Sequence, residues 1–260
     1  GMEHYNYGDG NNETNIDKEK NKNKRKPAFI FWAPNSNHFA MIRSDSRKVN
    51  DLWVINSIAD PRPTLETYKY QLPGEKESAI REMLLFDFAN KTSKRIETAF
   101  FKDQELAIWS APAQQKQRDD DYRPLLWLGT NDKLYFSRTS RDLKRIDICA
   151  LDIKTGTPKV LIEERMNTYV EVRRPGLVNE GKQIVHWSER DGWGHFYLYD
   201  ENGKQISQLT SGPWHTEDIE GIEDKTRTLY FTGNGKEAGE DPYYLHLYRI
   251  GLDGSGLRVL

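Results

Sequence analysis

The chain has 260 residues, of which 36% are hydrophobic and 30% are charged, so it is long enough for one large domain or two small ones. Its formal net charge of −2 argues against the basic surface of a nucleic-acid-binding protein. No apolar run approaches the ~20 residues of a membrane-spanning helix, and the single cysteine, Cys149, excludes an intrachain disulfide. We therefore expect no nucleic-acid partner and no membrane span in this chain.

The first 27 residues are rich in asparagine, lysine, glutamate and glycine and contain few apolar side chains. Residues 18–26 are a low-complexity run of charged residues and asparagine. Such a segment cannot bury enough apolar surface to offset the entropy lost on ordering. The sequence predicts a disordered or mobile polar segment over residues 1–27, and the acidic residues within it argue against a nucleic-acid site.

Short apolar and β-branched runs begin after this segment and predict β-strands. Residues 28–32 and 38–43 predict a hairpin. Residues 60–74 contain three prolines, and because proline cannot donate to a β-ladder, we expect this excursion to cross the surface. Strands at 81–88 and 93–98 complete the first predicted unit.

A polar loop follows at residues 114–121 and ends in three consecutive aspartates. A calcium loop needs spaced Asp or Asn ligands and a glycine, and this loop has neither. The histidines and Cys149 also lack the spacing of zinc ligands. The sequence predicts a solvated loop, no metal site and no cofactor.

One strand–turn–strand pattern recurs along the rest of the chain. Its clearest copy has the dipeptide Asp191–Gly192 between two apolar runs, which is a strong hairpin signal because glycine accepts a positive φ. The acidic turn residues of four copies are separated by 65, 48 and 53 residues: Asp87, Asp152, Asp200 and Asp253. A repeat of about 40–50 residues with four strands per unit is typical of a β-propeller blade.

The predicted fold is therefore all-β, with about four propeller blades of four-stranded antiparallel sheet. The blades are predicted at residues 28–100, 123–163, 169–210 and 216–260, within a domain spanning 28–260. A β-sandwich with similar hairpins is the alternative. The recurrence of the turn residues as well as the strands favours the propeller.

These residues also carry a family resemblance. The run 188–198, which begins Ser-Glu-Arg-Asp-Gly-Trp, and the run 208–214, Gln-Leu-Thr-Ser-Gly-Pro-Trp, resemble the N-terminal propeller of the dipeptidyl peptidase IV group. That group belongs to the prolyl oligopeptidase family of serine peptidases. Further similar segments lie at 32–40, 70–75, 138–152 and 229–250, so the resemblance covers about residues 28–260. It implies a ring of about eight blades and a periplasmic or extracellular location.

The sequence contains no Gly-x-Ser-x-Gly motif, the nucleophile elbow of an α/β-hydrolase. Ser188, Asp191 and His195 have the residue types of a catalytic triad but surround one hairpin, so we assign them no catalytic role. In the family, the triad lies in a C-terminal α/β-hydrolase domain. The resemblance therefore implies that this chain is a non-catalytic portion, inactive alone. In the family, a pair of glutamates in an Asp-Trp-x-Tyr-Glu-Glu type of motif binds the substrate amine. The Glu163–Glu164 pair is not preceded by those aromatic residues, so we do not assign it that role.

The segment 169–175 lies where the family can place an Arg-Pro dipeptide on a loop lining the substrate cavity. Arg173 and Arg174 are therefore the candidate substrate-binding residues. A guanidinium there could donate to a substrate carbonyl or pair with an acidic group. Ordinary surface arginines are the alternative.

Two functions follow. In the first, the chain gates and positions peptide substrates for the hydrolase domain of a dipeptidyl peptidase IV-like serine exopeptidase. In the second, it is a non-catalytic scaffold for a protein partner. A partial ring leaves apolar faces open on its first and fourth blades. Either the four blades close on themselves or two chains pair their open ends as a homodimer. The homodimer is favoured, because blades of a larger ring are shaped for a wider angle. Aromatic residues on the first and fourth blades are Trp32, Phe39, Tyr230, Phe231 and Tyr248.

Overall fold

A computed structural model describes residues 4–8, 13–113 and 118–260. The first hundred residues contribute one short helix and seven strands. The helix is α1 (Asn15–Asn21), and the strands are β1 (Tyr5–Asn6), β2 (Phe31–Trp32), β3 (His38–Asp45), β4 (Asp51–Asn56), β5 (Thr64–Lys69), β6 (Ile80–Asp87) and β7 (Thr92–Ile96). The first sheet has the order β1-β3-β6-β7, with β2 also pairing with β3, and β4 and β5 form a separate hairpin.

Three further sheets follow, each built from four consecutive antiparallel strands. The second sheet contains β8 (Glu105–Ile108), β9 (Lys133–Thr139), β10 (Arg145–Asp152) and β11 (Thr157–Arg165). The third contains β12 (Gly176–Val178), β13 (Gln183–Ser188), β14 (His195–Asp200) and β15 (Gln205–Gln208). The fourth contains β16 (His215–Glu223), β17 (Thr228–Asn234), β18 (His246–Gly251) and β19 (Arg258–Val259).

The sheets stack face to face in chain order, and the alternation of side chains along each strand supplies both faces of each inner sheet. Tyr135 packs between the second and third sheets, whereas the next residue, Phe136, packs between the first and second. In β13, Ile184 faces the second sheet and Val185 faces the fourth. Successive apolar layers therefore hold the sheets together as propeller blades, and the predicted fold class is confirmed.

The four acidic turn residues occupy equivalent positions, in the turn between the third and fourth strands of each repeat. In each turn a carboxylate oxygen accepts a hydrogen bond from a backbone N–H two or three residues later, and Asp200 also accepts from the backbone N–H of Lys204. Backbone hydrogen bonds, that of Lys204 first in the case of Asp200, lower the pKa of each carboxyl. The donor–acceptor distances are 2.9 Å for Asn90 to Asp87, 2.7 Å for Thr155 to Asp152, 2.9 Å for Asn202 to Asp200 and 2.9 Å for Ser255 to Asp253. The repeat inferred from the sequence is thus a repeat of structure.

The structure differs from the sequence prediction in the polar N-terminal segment, where it places β1 and α1. The helix begins at a capping box, in which Thr14 Oγ1 accepts from the backbone N–H of Asp17 at 3.1 Å. The Asp17 carboxylate accepts in return from the backbone N–H of Thr14 at 3.4 Å. Composition alone did not reveal this local signal.

The prediction was also wrong about the start of the second sheet. This sheet starts with β8 rather than near residue 123, and residues 126 and 127 form isolated bridges to Trp32 and Ser110 instead. The strand β8 is short, and its pairing depends on a partner that periodicity does not specify. The excursion at 60–74 stays out of the sheet centres, as expected: it contributes β5 to the separate hairpin, and β5 begins just after Pro63, so no proline enters its ladder.

Two smaller expectations also need qualification. Phe231 and Tyr248 are fully buried against the third sheet, so they are not part of an open face of the fourth. Of the polar loop, residues 114–117 lie outside the described residues, and Asp121 forms an ion pair with Arg123 at 3.0 Å. No helix in the described part of the chain is long and apolar enough to cross a membrane.

Candidate functional site

A cavity of about 580 Å3 lies between the loop that leads into β12 and residues 217–222 of β16. The loop before β12 supplies Arg173 and Arg174, so both sequence-predicted residues line this cavity. Trp187 and Phe196 from β13 and β14 line it from below, and Trp109 closes another side. The mixture of apolar walls and a few charged groups is typical of a ligand-binding cavity.

Arg173 is enclosed by partners from three parts of the chain. Its Nε donates to Glu171 at 2.9 Å, and one terminal nitrogen donates to Glu217 on β16 at 2.7 Å. The guanidinium carbon lies 4.1 Å from the ring centre of Trp187, in a cation–π contact. Asp218 is 3.7 Å from the other terminal nitrogen. The Arg173 side chain is only 15% exposed, so this arginine ties the loop before β12 to β13 and β16.

The electrostatics of Arg173 follow from these contacts. Burial alone lowers the pKa of a guanidinium because it disfavours the charged form. The hydrogen bond to Glu217 and the charges of Glu171 and Glu217 outweigh burial and raise the pKa of Arg173 above its ordinary value. Arg173 is therefore a permanently charged structural group with its neutralising carboxylates already in place.

Glu217 has a second neighbour that orients it. Its other carboxylate oxygen lies 3.6 Å from Nε2 of His215. The Nδ1 atom of His215 accepts from the backbone N–H of Gly194 at 3.2 Å, which leaves Nε2 to carry the proton. Trp187 is held as well, because its indole N–H donates to the Thr216 carbonyl at 2.8 Å. We call Glu171, Glu217 and Trp187, which enclose the Arg173 guanidinium, the clamp. Residues of the third and fourth sheets hold Trp187 and Glu217 in place.

Arg174 is different. It is exposed at the cavity, and among the described residues no hydrogen bond, ion pair or ring contact to its side chain is formed. The following residue, Pro175, is buried and anchors the backbone beside it. The structure brings the two predicted arginines to one cavity but leaves only Arg174 available for a ligand.

The opposite wall carries carboxylates. Asp218, with 81% of its side chain exposed, and the exposed Glu220 lie on β16, separated by Ile219. Ser110 also lines the cavity, but none of the described lining residues is a histidine that could act as a base beside it. The arrangement can bind and orient a polar molecule.

The triad-like residues of the central hairpin are engaged elsewhere. His195 is fully buried, with Nδ1 3.1 Å from Thr210 Oγ1 and Nε2 3.0 Å from the Gly212 carbonyl. Ser188 Oγ accepts from the backbone and side chain of Arg190. Both side chains therefore stabilise the hairpin and its packing.

Glu164 also has a structural environment. It is buried between the second and third sheets, where His186 Nε2 lies 3.0 Å from Oε1 and Arg190 forms an ion pair with the same oxygen. Burial by itself raises the pKa of this carboxyl. The hydrogen bond and charge of His186 and the charge of Arg190 together have the larger, opposite effect, so the pKa of Glu164 lies below its ordinary value. A carboxylate that is already hydrogen-bonded to His186 and paired with Arg190 is unavailable to bind a substrate amine.

The sequence did not identify Glu171, Glu217 and Trp187 as partners of Arg173. Glu217 lies 44 positions beyond Arg173, in a different blade. The only local signal was the run of acidic residues in β16, at positions 217, 218 and 220. No group of three or more metal-binding side chains occurs in the described part of the chain.

Comparison with known proteins identifies the class that this fold and cavity define. The family model described as the dipeptidyl peptidase IV (DPP IV) N-terminal region matches residues 25–259. The chain belongs to this family, which confirms the resemblance seen in the sequence.

The relatives are longer proteins. The chain is 25% identical over 250 residues to a probable dipeptidyl-aminopeptidase B of Ajellomyces dermatitidis, covering 88% of this chain and 26% of that protein. It is 22% identical over 237 residues to dipeptidyl peptidase 4 of Trichophyton equinum, covering 86% of this chain and 28% of the relative. The chain thus spans about a quarter of the length of these relatives.

Solved structures show the same fold. Dipeptidyl peptidase 4 of Porphyromonas gingivalis superposes with a TM-score of 0.72 at 20% identity, covering 96% of this chain and 32% of that one. A putative dipeptidyl aminopeptidase IV from Bacteroides ovatus gives a TM-score of 0.69 at 21% identity, covering 88% and 32%. At this level of identity the similarity concerns the fold.

Proposed function

We propose that this chain is the non-catalytic propeller portion of a dipeptidyl peptidase IV-like serine exopeptidase. It gates and positions peptide substrates for a C-terminal α/β-hydrolase domain of the parent protein, in the periplasm or outside the cell. The observation that supports the proposal is the contrast between the two arginines that line the cavity. The Arg173 guanidinium is surrounded by carboxylates, whereas Arg174 is exposed and its side chain forms no ion pair or hydrogen bond with the described residues.

The chemistry of the cavity suits a peptide. The Arg174 guanidinium presents planar donors that can bind a backbone carbonyl or a carboxylate in a bidentate manner. Leu177, Ile219 and Ile222 provide apolar wall for a side chain. The cavity volume of about 580 Å3 lies in the range of small-molecule and peptide sites.

A dipeptide titration tests this function. Ala-Pro with a free carboxylate and Ala-Pro-amide are titrated into the chain by calorimetry, because only the first carries the anionic group that Arg174 would bind. Arg174→Met is expected to weaken the free dipeptide about tenfold and to abolish the preference for carboxylate over amide. Arg258→Met, which removes an exposed arginine from β19, is the control and should change neither affinity. Equal binding by the wild type and Arg174→Met would refute the site.

The scaffold function has one observation in its favour. The β4–β5 hairpin exposes apolar side chains away from the blades, with Trp53 73%, Ile55 70% and Ile58 92% exposed. Patches of this kind often mark protein contacts. The parent gene separates the two functions: a downstream Gly-x-Ser-x-Gly motif followed by aspartate and histidine supports the peptidase, and its absence there supports the scaffold.

A further inference from the structure

We propose that Arg173 is a positioning residue, which holds the loop that carries Arg174 and keeps the carboxylates beside it neutralised. The inference rests on the proposed function, since it assigns the adjacent arginine a role in the same site. Unlike Arg174, Arg173 does not contact the ligand. Its role is to fix the place and the electrostatic surroundings of the residue that does.

The geometry leaves Arg173 little capacity for a ligand. A guanidinium offers one planar fork of donors and two faces. Here Nε and one terminal nitrogen donate to Glu171 and Glu217, the other terminal nitrogen is next to Asp218, and one face covers Trp187. The partners belong to the loop itself, to β13 and to β16. Arg173 therefore connects the loop to two neighbouring blades at the edge of the cavity.

Elsewhere the loop is attached to the second sheet, because the buried Val170 donates its backbone N–H to the Leu143 carbonyl, in the turn between β9 and β10, at 2.8 Å. The Arg174 side chain forms no hydrogen bond, ion pair or ring contact with a described partner, and β12, which follows, is only three residues long. The contacts of Arg173 with Glu217 and Asp218, beside the buried Pro175, therefore help to fix the Arg174 backbone relative to β16. Loss of the clamp would let the loop move relative to the wall that completes the cavity.

Arg173 also sets the charge seen by a ligand. Glu171 and Glu217 are within hydrogen-bonding distance of its guanidinium, so their negative charges are largely compensated. Without Arg173, the charge of Glu217 would add to those of Asp218 and Glu220 in the lining of the cavity. The charge of Glu171, which the Arg173 Nε now compensates, would be left unpaired nearby. Repulsion from these carboxylates would oppose an anionic group at Arg174 and would have little effect on a neutral group in the same position. A purely structural role for Arg173 predicts no such dependence on ligand charge.

The experiment compares Arg173→Met and Arg173→Lys with the wild type, using Ala-Pro and Ala-Pro-amide in calorimetric titrations. Arg173→Met is expected to weaken the carboxylate dipeptide about tenfold, while the amide loses about threefold or less. Arg173→Lys keeps the charge but loses the planar fork, so it should recover most of the carboxylate preference and lose about threefold in affinity. Circular dichroism at the titration temperature establishes that each variant is folded.

The outcomes separate the two proposals. If Arg174→Met has no effect on the carboxylate dipeptide, the proposed site itself fails. If Arg174→Met weakens binding but Arg173→Met binds both dipeptides as the wild type does, the positioning role of Arg173 is overturned. Equal losses for carboxylate and amide would also overturn it, because they would indicate general disruption. If Arg173→Met does not fold, Arg173→Lys decides, and wild-type affinities for both dipeptides would contradict the inference.

Discussion

Asp147 is the most completely enclosed acidic side chain of the second sheet. It is fully buried on β10, where Arg138 Nε donates to Oδ2 at 2.6 Å and Arg165 pairs with Oδ1. Arg138 is in turn packed over the ring of Phe100, 4.2 Å from its centre. A buried ion cluster of this kind stabilises the fold only while all its members are present, because a buried charge without its partner retains the full desolvation penalty.

We therefore predict that Asp147→Asn lowers the free energy of unfolding by about 3–5 kcal/mol, as expected when one member of a buried ion pair is removed. Urea unfolding followed by tryptophan fluorescence measures the change. Glu163→Gln is the matched control, because Glu163 also pairs with Arg165 but is 58% exposed. That substitution should cost at most about 1 kcal/mol. Similar losses in the two variants would contradict the role assigned to Asp147.

The buried Glu164 predicts a pH dependence. Its pKa in the folded chain is lowered from 4.5, with the charge and hydrogen bonds of His186 and Arg190 exceeding the opposing effect of burial. A carboxyl with a depressed folded pKa contributes stability that is complete above its unfolded pKa. That contribution is lost as the pH falls below about 4.5 and through the lower folded value.

Unfolding titrations between about pH 3 and pH 7 should therefore show the largest difference between the wild type and Glu164→Gln at the upper end of this range. The difference should shrink as the pH falls below 4.5, the ordinary pKa from which Glu164 is shifted. Glu163→Gln again provides the exposed comparison. A difference that stays constant over the range, or one that grows with acid, would show that the Glu164 carboxylate does not stabilise the fold.

Turns of the repeating sheets differ in what surrounds them. Gly192 has φ +96° at the tip of the β13–β14 turn, and a Cβ atom there would meet no atom within 4 Å. Gly203 has φ +87° in the β14–β15 turn, and its Cβ would lie 1.9 Å from the carbonyl oxygen of Leu161 on β11. Gly192 is thus needed for its backbone angle alone, whereas Gly203 also allows the third blade to approach the second.

Alanine at each position separates the two effects. Gly192→Ala is expected to cost about 1–2 kcal/mol, from the positive φ alone. Gly203→Ala should cost about 1–3 kcal/mol more, because the backbone of β11 would have to shift. Gly192→Asn is the control for the backbone term, since asparagine tolerates a positive φ better than alanine. Thermal unfolding measures all three, and equal losses at positions 192 and 203 would contradict the close approach of the two blades.

The row of four blades has two end faces, one on the first sheet and one on the fourth, that no other described blade covers. On the first sheet, the Trp32 ring lies 4.9 Å from Phe39, whose ring stacks on Phe86 at 4.5 Å. These side chains are half-buried and alternate with residues that face the second sheet. On the fourth sheet, Tyr230 is half-buried and Leu247 is 42% exposed. Such apolar faces favour association with another blade, in the parent ring or in a second copy of the chain.

We predict that the isolated chain self-associates through these end faces. Light scattering at micromolar concentrations should give an average mass that rises with concentration. Leu247→Lys should reduce this rise, because it places a charge on the open face of the fourth sheet. Tyr243→Ser, at a side chain that is 84% exposed on the β17–β18 loop, is the control. A mass that equals one chain at every concentration would favour closure of the four blades on themselves.

The sequence by itself determined the features that are local or periodic. Strand periodicity and the acidic turns at Asp152, Asp200 and Asp253 were sufficient for the blade repeat, because a carboxylate that caps its own turn uses residues only two or three positions away. The resemblance then directed attention to Arg173 and Arg174. Short elements were harder to predict. The residues of the capping box at Thr14 are present in the sequence, but the polar composition of this segment predicted disorder rather than a helix.

Only the tertiary structure distinguished the two arginines. They are adjacent, have the same chemistry and precede the same strand. Only Arg174 is followed by a proline, but that dipeptide does not indicate which guanidinium is enclosed by carboxylates. Glu217 and Trp187 lie in other strands, and their positions around Arg173 depend on how the third and fourth blades stack. The strand β8 was missed for the same reason, since four residues pair correctly only when β9 is beside them. Pairing between distant segments is a property of the packed sheets, and it leaves no periodic pattern in the chain.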